Sequence, residues 1–181
     1  MNDQEIDVSV LIAAYNCEDF IATAIASALE QTGVSLEVIV IDDGSKHHLE
    51  SSVRTAAAGD PRVVFHRLDE NRGPSAARNK AIELAKGEYI AVLDSDDRMA
   101  PDRLSKMIEK ARRRNSDIVV DNMIATYPGA KNPDHRFLRA HRVAEVVHIK
   151  PSIYIDPRTD KVFGAPLGYL KPLIRMKFLT D

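Results

Sequence analysis

The sequence predicts an α/β protein, with a mostly parallel sheet and helices on both faces. Three observations predict it. Short apolar runs at 8–12, 36–41 and 88–94 alternate with segments whose apolar residues recur at helical spacing. The runs are continuous rather than alternating, as in strands covered on both sides. Two of them lead straight into acid, at Asp42-Asp43-Gly44-Ser45 and Asp94-Ser95-Asp96-Asp97. Charge inside a buried run carries a large desolvation cost, so these carboxylates belong just past the strands' carboxyl ends. In open α/β sheets that edge binds ligands.

The elements follow in order. Val8, Val10, Leu11 and Ile12 make the first strand, which leaves through Ala13-Ala14-Tyr15-Asn16. Phe20, Ile21, Ala24, Ile25, Ala28 and Leu29 give one face of a helix, ended by Gln31-Thr32-Gly33. Leu36 to Ile41 is the second strand, and a helix over about 48–58 ends near Gly59-Asp60-Pro61. Val63 to His66 is a short strand. Asn71-Arg72-Gly73 is a loop, and Pro74 suits the first turn of the next helix. That helix runs to about Lys86-Gly87 on a stripe of Ala77, Ala81, Ile82 and Ala85. The strand at 88–94 follows, then a helix from about Pro101 to Arg114 with Leu104, Met107, Ile108 and Ala111 on one face. Ile118-Val119-Val120 reads as a strand, Val143 to Ile149 as one more, and Lys171 to Phe178 as the start of a helix. Prolines punctuate the pattern past about residue 125, which sets the expected boundary between a core at 1–125 and a second part at 126–181.

The chain has 181 residues and a formal charge of −2, so it offers no electrostatic case for nucleic acid as a partner. Its one cysteine, Cys17, excludes an internal disulfide and a cysteine-rich zinc site. No run approaches the roughly 20 apolar residues of a membrane span, and the acidic start is unlike a signal peptide. The expected location is the cytoplasm.

The candidate site lies where the strand ends meet. Asp94 and Asp96 point the same way if the chain stays extended. Two carboxylates so placed repel unless a cation sits between them, and a hard Mg²⁺ or Mn²⁺ suits the role. The plain alternative is a solvated turn, with Asp97 capping the helix after Pro101. Small residues at Ala13 and Ala14 let a flat ring approach, and Tyr15 could stack on it. Asp43 could accept from a ring N–H, or serve as the turn residue before Gly44. Arg72 and Arg78 flank a helix start and suit pyrophosphate, while Arg78 also suits an ion pair with an aspartate. No P-loop and no Gly-x-Gly-x-x-Gly follows a strand, so phosphates would be held by metal and arginine. The cations Lys110 and Arg112 to Arg114 gather at a helix C-terminus, where the helix dipole favours them; contact with anionic lipid is the functional alternative.

Four stretches together resemble the family 2 glycosyltransferases of GT-A fold, and bacterial exopolysaccharide enzymes of the succinoglycan type among them. They are Val8 to Asn16, Ile41 to Ser45, Asn71 to Asn79 and Leu93 to Asp97, in order and at matching spacing. The resemblance covers about residues 6–125. It implies a metal-dependent, inverting transfer of a sugar, with glucose the best guess, from a UDP-sugar to a glycan or lipid-linked acceptor. It implies that Ala13, Ala14 and Tyr15 line the nucleobase pocket and that Asp43 bonds the base. Arg78 would lie near the base or the diphosphate, and Asp94 would touch the ribose or a metal-bound water. Ser95 completes the donor-binding set, and Asp96 would bind the Mg²⁺ or Mn²⁺ that bridges the phosphates. Residues 126–181 would begin the acceptor-side half, at the inner face of the membrane if the acceptor is lipid-linked.

The family's general base is an acidic residue later in the chain. The segment Gly168 to Leu179 resembles the stretch just before it, so the base is expected beyond Asp181. His135, His141 and His148 are conceivable substitutes, though each suits a surface or packing role better. Without a base, the chain would bind donor but transfer sugar poorly. An alternative from another class is a receiver-like signalling module, which also gathers aspartates around Mg²⁺. No lysine at a following strand end supports it.

Overall fold

The computed structural model describes residues 5–47, 49–125, 135–136 and 171–180. The chain divides into two compact units, one of residues 1–119 with 172–181 and one of residues 120–171. The first holds a six-stranded sheet. Its strands are β1 (Val8–Ala14), β2 (Leu36–Asp42), β3 (Val63–Arg67), β4 (Tyr89–Val92), β5 (Ile118–Val119) and β8 (Leu173–Arg175), in the order β3-β2-β1-β4-β8-β5. The first four run parallel; β8 runs antiparallel between β4 and β5. In the second unit the described strands are β6 (Ile124–Ala125) and β7 (His135–Arg136), which pair antiparallel.

β1 and β2 read as unbroken apolar runs because both faces are covered. Helices α1 (Ile21–Leu29), α2 (Leu49–Ala57) and α4 (Arg103–Arg114) pack on one face, against Val8, Val10, Ile12, Val38, Val40 and Ala91. Helix α3 (Pro74–Leu84) packs Ala77 and Ala81 on the other, against Leu11, Ile39, Ile41 and Ile90. Alternate residues of each strand therefore feed two separate cores. Each fully buried Val, Leu or Ile contributes about 1.5–3 kcal/mol.

The order of connections fixes where a ligand can sit. β1, β2 and β3 progress outward in one direction, and the chain then returns through α3 to lay β4 on the far side of β1. The strand order thus reverses between adjacent strands β1 and β4, with the helix that leaves β1 (α1) on one face and the helix that enters β4 (α3) on the other. That is the point where open α/β sheets open a crevice.

One expectation is corrected. The stretch from Lys171 does not begin a helix; Leu173–Arg175 is first an antiparallel strand, and α5 (Met176–Thr180) follows it. Three residues are too few to show a period, and the partners that make them a strand, Tyr89–Ala91 and Ile118–Val119, lie far away in sequence. The strand expected at Val143 to Ile149 lies outside the described residues.

Candidate functional site

The loops after β1, β2 and β4 meet at the carboxyl rim, and their own hydrogen bonds hold them there. Asn16 adopts a left-handed conformation, φ 48°, which asparagine tolerates better than most residues. Its N–H donates to Ser45 Oγ at 2.9 Å, and its Oδ1 accepts from the Lys46 N–H at 2.9 Å. The Asp43 N–H donates to the Ala14 carbonyl at 2.8 Å. Asp42 is fully buried; it accepts from the Ser45 N–H and from Arg67 Nη1, each at 2.8 Å.

Asp43 is 3% exposed, and both its oxygens are engaged. Oδ1 accepts the Arg72 N–H and Oδ2 the Gly73 N–H, each at 2.8 Å. Gly73 sits at the N-cap position of α3, so Asp43 closes the helix N-terminus that Gly73 cannot cap. Each oxygen keeps a second lone pair. The adjoining Gly44, at φ +72°, passes so close to the 70–71 backbone that a Cβ there would stand 2.7 Å from the Glu70 carbonyl carbon.

Past β4 the turn gathers charge. Asp94, Asp96 and Asp97 each offer a carboxylate oxygen within 4.8 Å of the others. Asp94 is half-buried, while Asp96 and Asp97 are exposed. Three hard oxygen donors at one turn fit a divalent cation that shares its other positions with phosphate or water. Asp97 does not cap the following helix: α4 starts at Arg103, with Asp102 at its N-cap position. From α3, Arg78 Nη2 reaches Asp94 Oδ1 at 3.1 Å. Arg78 Nε is buried with no hydrogen-bond partner, a donor left open beside the carboxylates.

The remaining residues fall around this turn. Tyr15 is 42% exposed at the rim. Ala13 is half-buried against the α3-side core, and Ala14 lies wholly within the opposite one. Burial raises the Cys17 thiol pKa, although the neighbouring Ser95 side chain works against it. Arg72 is exposed, and only its backbone joins the Asp43 contact. His141 and His148 lie outside the described residues.

Sequence reasoning missed one support of the turn. Gln31, just past α1, is 7% exposed; it donates to the Ala100 carbonyl at 2.6 Å and accepts the Leu104 N–H at 3.0 Å. Ser27 Oγ accepts the Met99 N–H at 3.1 Å. Together they tether the segment that leaves the three aspartates. A Gln near a helix end carries no signal of a partner 69 residues away.

The comparisons concern the family and the fold. A family model described as "Glycosyl transferase family 2" matches residues 9–164. The succinoglycan biosynthesis protein ExoO of Rhizobium meliloti (strain 1021) is 42% identical over 99% of this chain and 50% of its own length. The UDP-Glc:alpha-D-GlcNAc-diphosphoundecaprenol beta-1,3-glucosyltransferase WfaP of Escherichia coli is 40% identical over 56% of this chain and 39% of its own. The chain spans about half the length of the first curated relatives it matches. Among solved structures, S. aureus TarS in complex with UDP superposes with TM-score 0.72 at 23% identity, over 97% of this chain and 48% of that one. The mannosyltransferase PcManGT from Pyrobaculum calidifontis, in complex with GDP-Man and Mn²⁺, gives 0.60 at 26%, over 70% and 37%. The α/β architecture with a mostly parallel sheet is that of the GT-A fold.

Proposed function

The chain belongs to glycosyl transferase family 2, and on that premise we propose that it holds the donor half of an inverting, metal-dependent transfer from a UDP-sugar. The observation that carries the proposal is the three-carboxylate turn at the β1/β4 switch point, with Arg78 beside it. WfaP is named for a UDP-Glc donor and a lipid-diphosphate acceptor, and ExoO for succinoglycan biosynthesis. They support glucose as the donor sugar, a lipid-linked glycan as the acceptor, and bacterial exopolysaccharide as the product. They also support a cytoplasmic enzyme working at the inner face of the membrane. No helix among the described residues is long and apolar enough to cross a membrane. Matching the family model leaves the receiver-like alternative without support.

In this reading Tyr15 stacks on the base, with Ala13 and Ala14 beneath the same strand end. Asp43 places the 71–73 loop against the base and keeps a lone pair for its N–H. Arg78 donates to the diphosphate through Nε, and Asp94 orients both Arg78 and the ribose side. Ser95 holds the middle of the turn, and Asp96 leads the metal ligands with Asp97 beside it. A divalent cation there would neutralise charge on the departing diphosphate. The residue that takes the acceptor's proton is not assigned among the described residues.

The test is thermal. UDP should raise the melting temperature only with Mn²⁺ or Mg²⁺ present, and Asp96→Ala should abolish the shift. A shift that survives Asp96→Ala, or one that needs no metal, would reject the assignment.

A further inference from the structure

We propose that the basic flank of helix α4 is a docking surface for an anionic lipid bilayer. Helix α4 carries Arg103, Lys106, Lys110, Arg112, Arg113 and Arg114 against Glu109 alone, a net +5 in a chain whose total is −2. Arg112 is spent on the fold, since its Nη2 bonds Asp7 and Glu88 at 2.7 and 2.6 Å. The other five cations share one flank. At 3.6 residues per turn they fall within roughly 100° of one another, beside the core stripe of Leu104, Met107, Ile108 and Ala111. Lys106 and Arg113 touch Asp102 and Glu109 at the edge of the flank. Lys110 and Arg114 are exposed and have no carboxylate partner among the described residues.

Helix stability explains only part of this arrangement. Cations in the last turn complement the helix dipole, which accounts for Arg113 and Arg114. Arg103 and Lys106 sit at the opposite end, where the dipole disfavours them; Asp102 at the N-cap position pairs with Lys106, and the first turn itself has no acidic residue. The flank is therefore charged along its whole length rather than at one end. A line of cations on a straight helix fits a plane of anionic headgroups, and each cation near such a surface raises affinity roughly fivefold. A bilayer is chosen over a free polyanion because of the lipid-linked acceptor proposed above, and the inference rests on that reading in this respect only. Docking through α4 would keep the chain at the membrane beside the rim, since Arg103 lies seven residues past Asp96.

The experiment is vesicle co-sedimentation of the whole chain without nucleotide or metal, so its failure is distinct from failure of the donor site. Phosphatidylcholine vesicles containing phosphatidylglycerol should bind the chain at low salt, and pure phosphatidylcholine vesicles should not. Binding should weaken as salt rises, because screening shortens the reach of surface charge. Lys110→Glu with Arg114→Glu should lower affinity at least tenfold and leave the UDP thermal shift intact. A matched control, Arg54→Glu with Lys80→Glu, changes net charge equally on other helices and should keep most of the binding. No binding to the anionic vesicles, an equal loss in the control, or tighter binding to heparin than to vesicles would each overturn the proposal.

Discussion

Arg78 Nη2 stands 3.1 Å from Asp94 Oδ1, and that contact joins helix α3 to the turn after β4. The two side chains are 36% and 33% exposed, so the ion pair contributes no more than about 1 kcal/mol to stability. Its larger consequence is orientation, because it leaves Arg78 Nε buried and without an acceptor. Arg78→Ala should therefore lower UDP affinity by roughly tenfold to a hundredfold, the range of a charge-assisted hydrogen bond. Its denaturant midpoint should barely move. Arg78→Lys should recover little, since it keeps the charge and loses the planar fork. Calorimetric titration beside urea unfolding checks this, and lost stability with unchanged affinity would make Arg78 a structural residue only.

Asp43 offers a sharper contrast between folding and binding. Its two oxygens satisfy two backbone N–H groups at the start of α3. Asp43→Asn keeps the shape but turns a donor toward one of those N–H groups, which leaves a buried donor unpaired. The expected cost is about 1–3 kcal/mol, read from urea unfolding. Loss of UDP binding should accompany it, because the 71–73 loop would no longer be held. A variant as stable as the parent would show that this loop does not depend on the carboxylate.

The parallel half of the sheet was legible because its strands are buried on both faces. Val8 to Ile12 and Leu36 to Ile41 carry no polar residue on one face that would blur them, apart from Ser9 and Glu37, which satisfy each other at 2.7 Å. The acid at their ends then marked the rim. The antiparallel strand Leu173–Arg175 was not legible, since its identity comes from partners more than fifty residues away. In the site, Asp94 and Asp96 announced themselves by spacing, while Asp97 passed for a helix cap. The Gln31 tether could not be read at all, because a hydrogen bond to a distant backbone group leaves no pattern in the sequence.

Gln31 couples that hidden tether to the carboxylate turn. Gln31→Leu fills the space but strands the Ala100 carbonyl and the Leu104 N–H. Unpaired groups of this kind cost about 1–3 kcal/mol. The turn that precedes them should also loosen, so half-saturation of the UDP thermal shift should need several-fold more Mn²⁺. A titration well below the melting temperature separates the two effects. Lower stability with an unchanged Mn²⁺ requirement would mean that the tether serves folding alone.

Acid should act on the opposite end of the sheet. Burial pushes the Asp7 carboxyl pKa up, but the Ser35 N–H and Arg112 outweigh it and the net shift is downward. The unfolded chain then binds this proton more readily than the folded one. The associated stability is present above the ordinary Asp value of about 3.9 and is lost as pH falls through the lower folded value. Asp7→Asn should be destabilised relative to the parent near about pH 5, and the gap should narrow near about pH 3. Parallel urea curves at the two values check it; a gap that widens in acid would reverse the sign.

Cys17 reports on the turn itself. Cys17 is 7% exposed, burial lifts its thiol pKa, and Ser95, between Asp94 and Asp96, acts on it in the opposite sense. Alkylation requires both access and thiolate, and the folded chain restricts both. Iodoacetamide should therefore modify the native protein far more slowly than the urea-unfolded one. The residual rate measures how often the turn opens. UDP with Mn²⁺ should slow it further, because the ligand that ties down Asp96 also ties down Ser95 and so keeps the sulfur covered. Metal-free UDP should not. If the labelling rate is indifferent to UDP and Mn²⁺ together, the carboxylate turn does not close over the ligand and its coupling to Cys17 is only a packing contact.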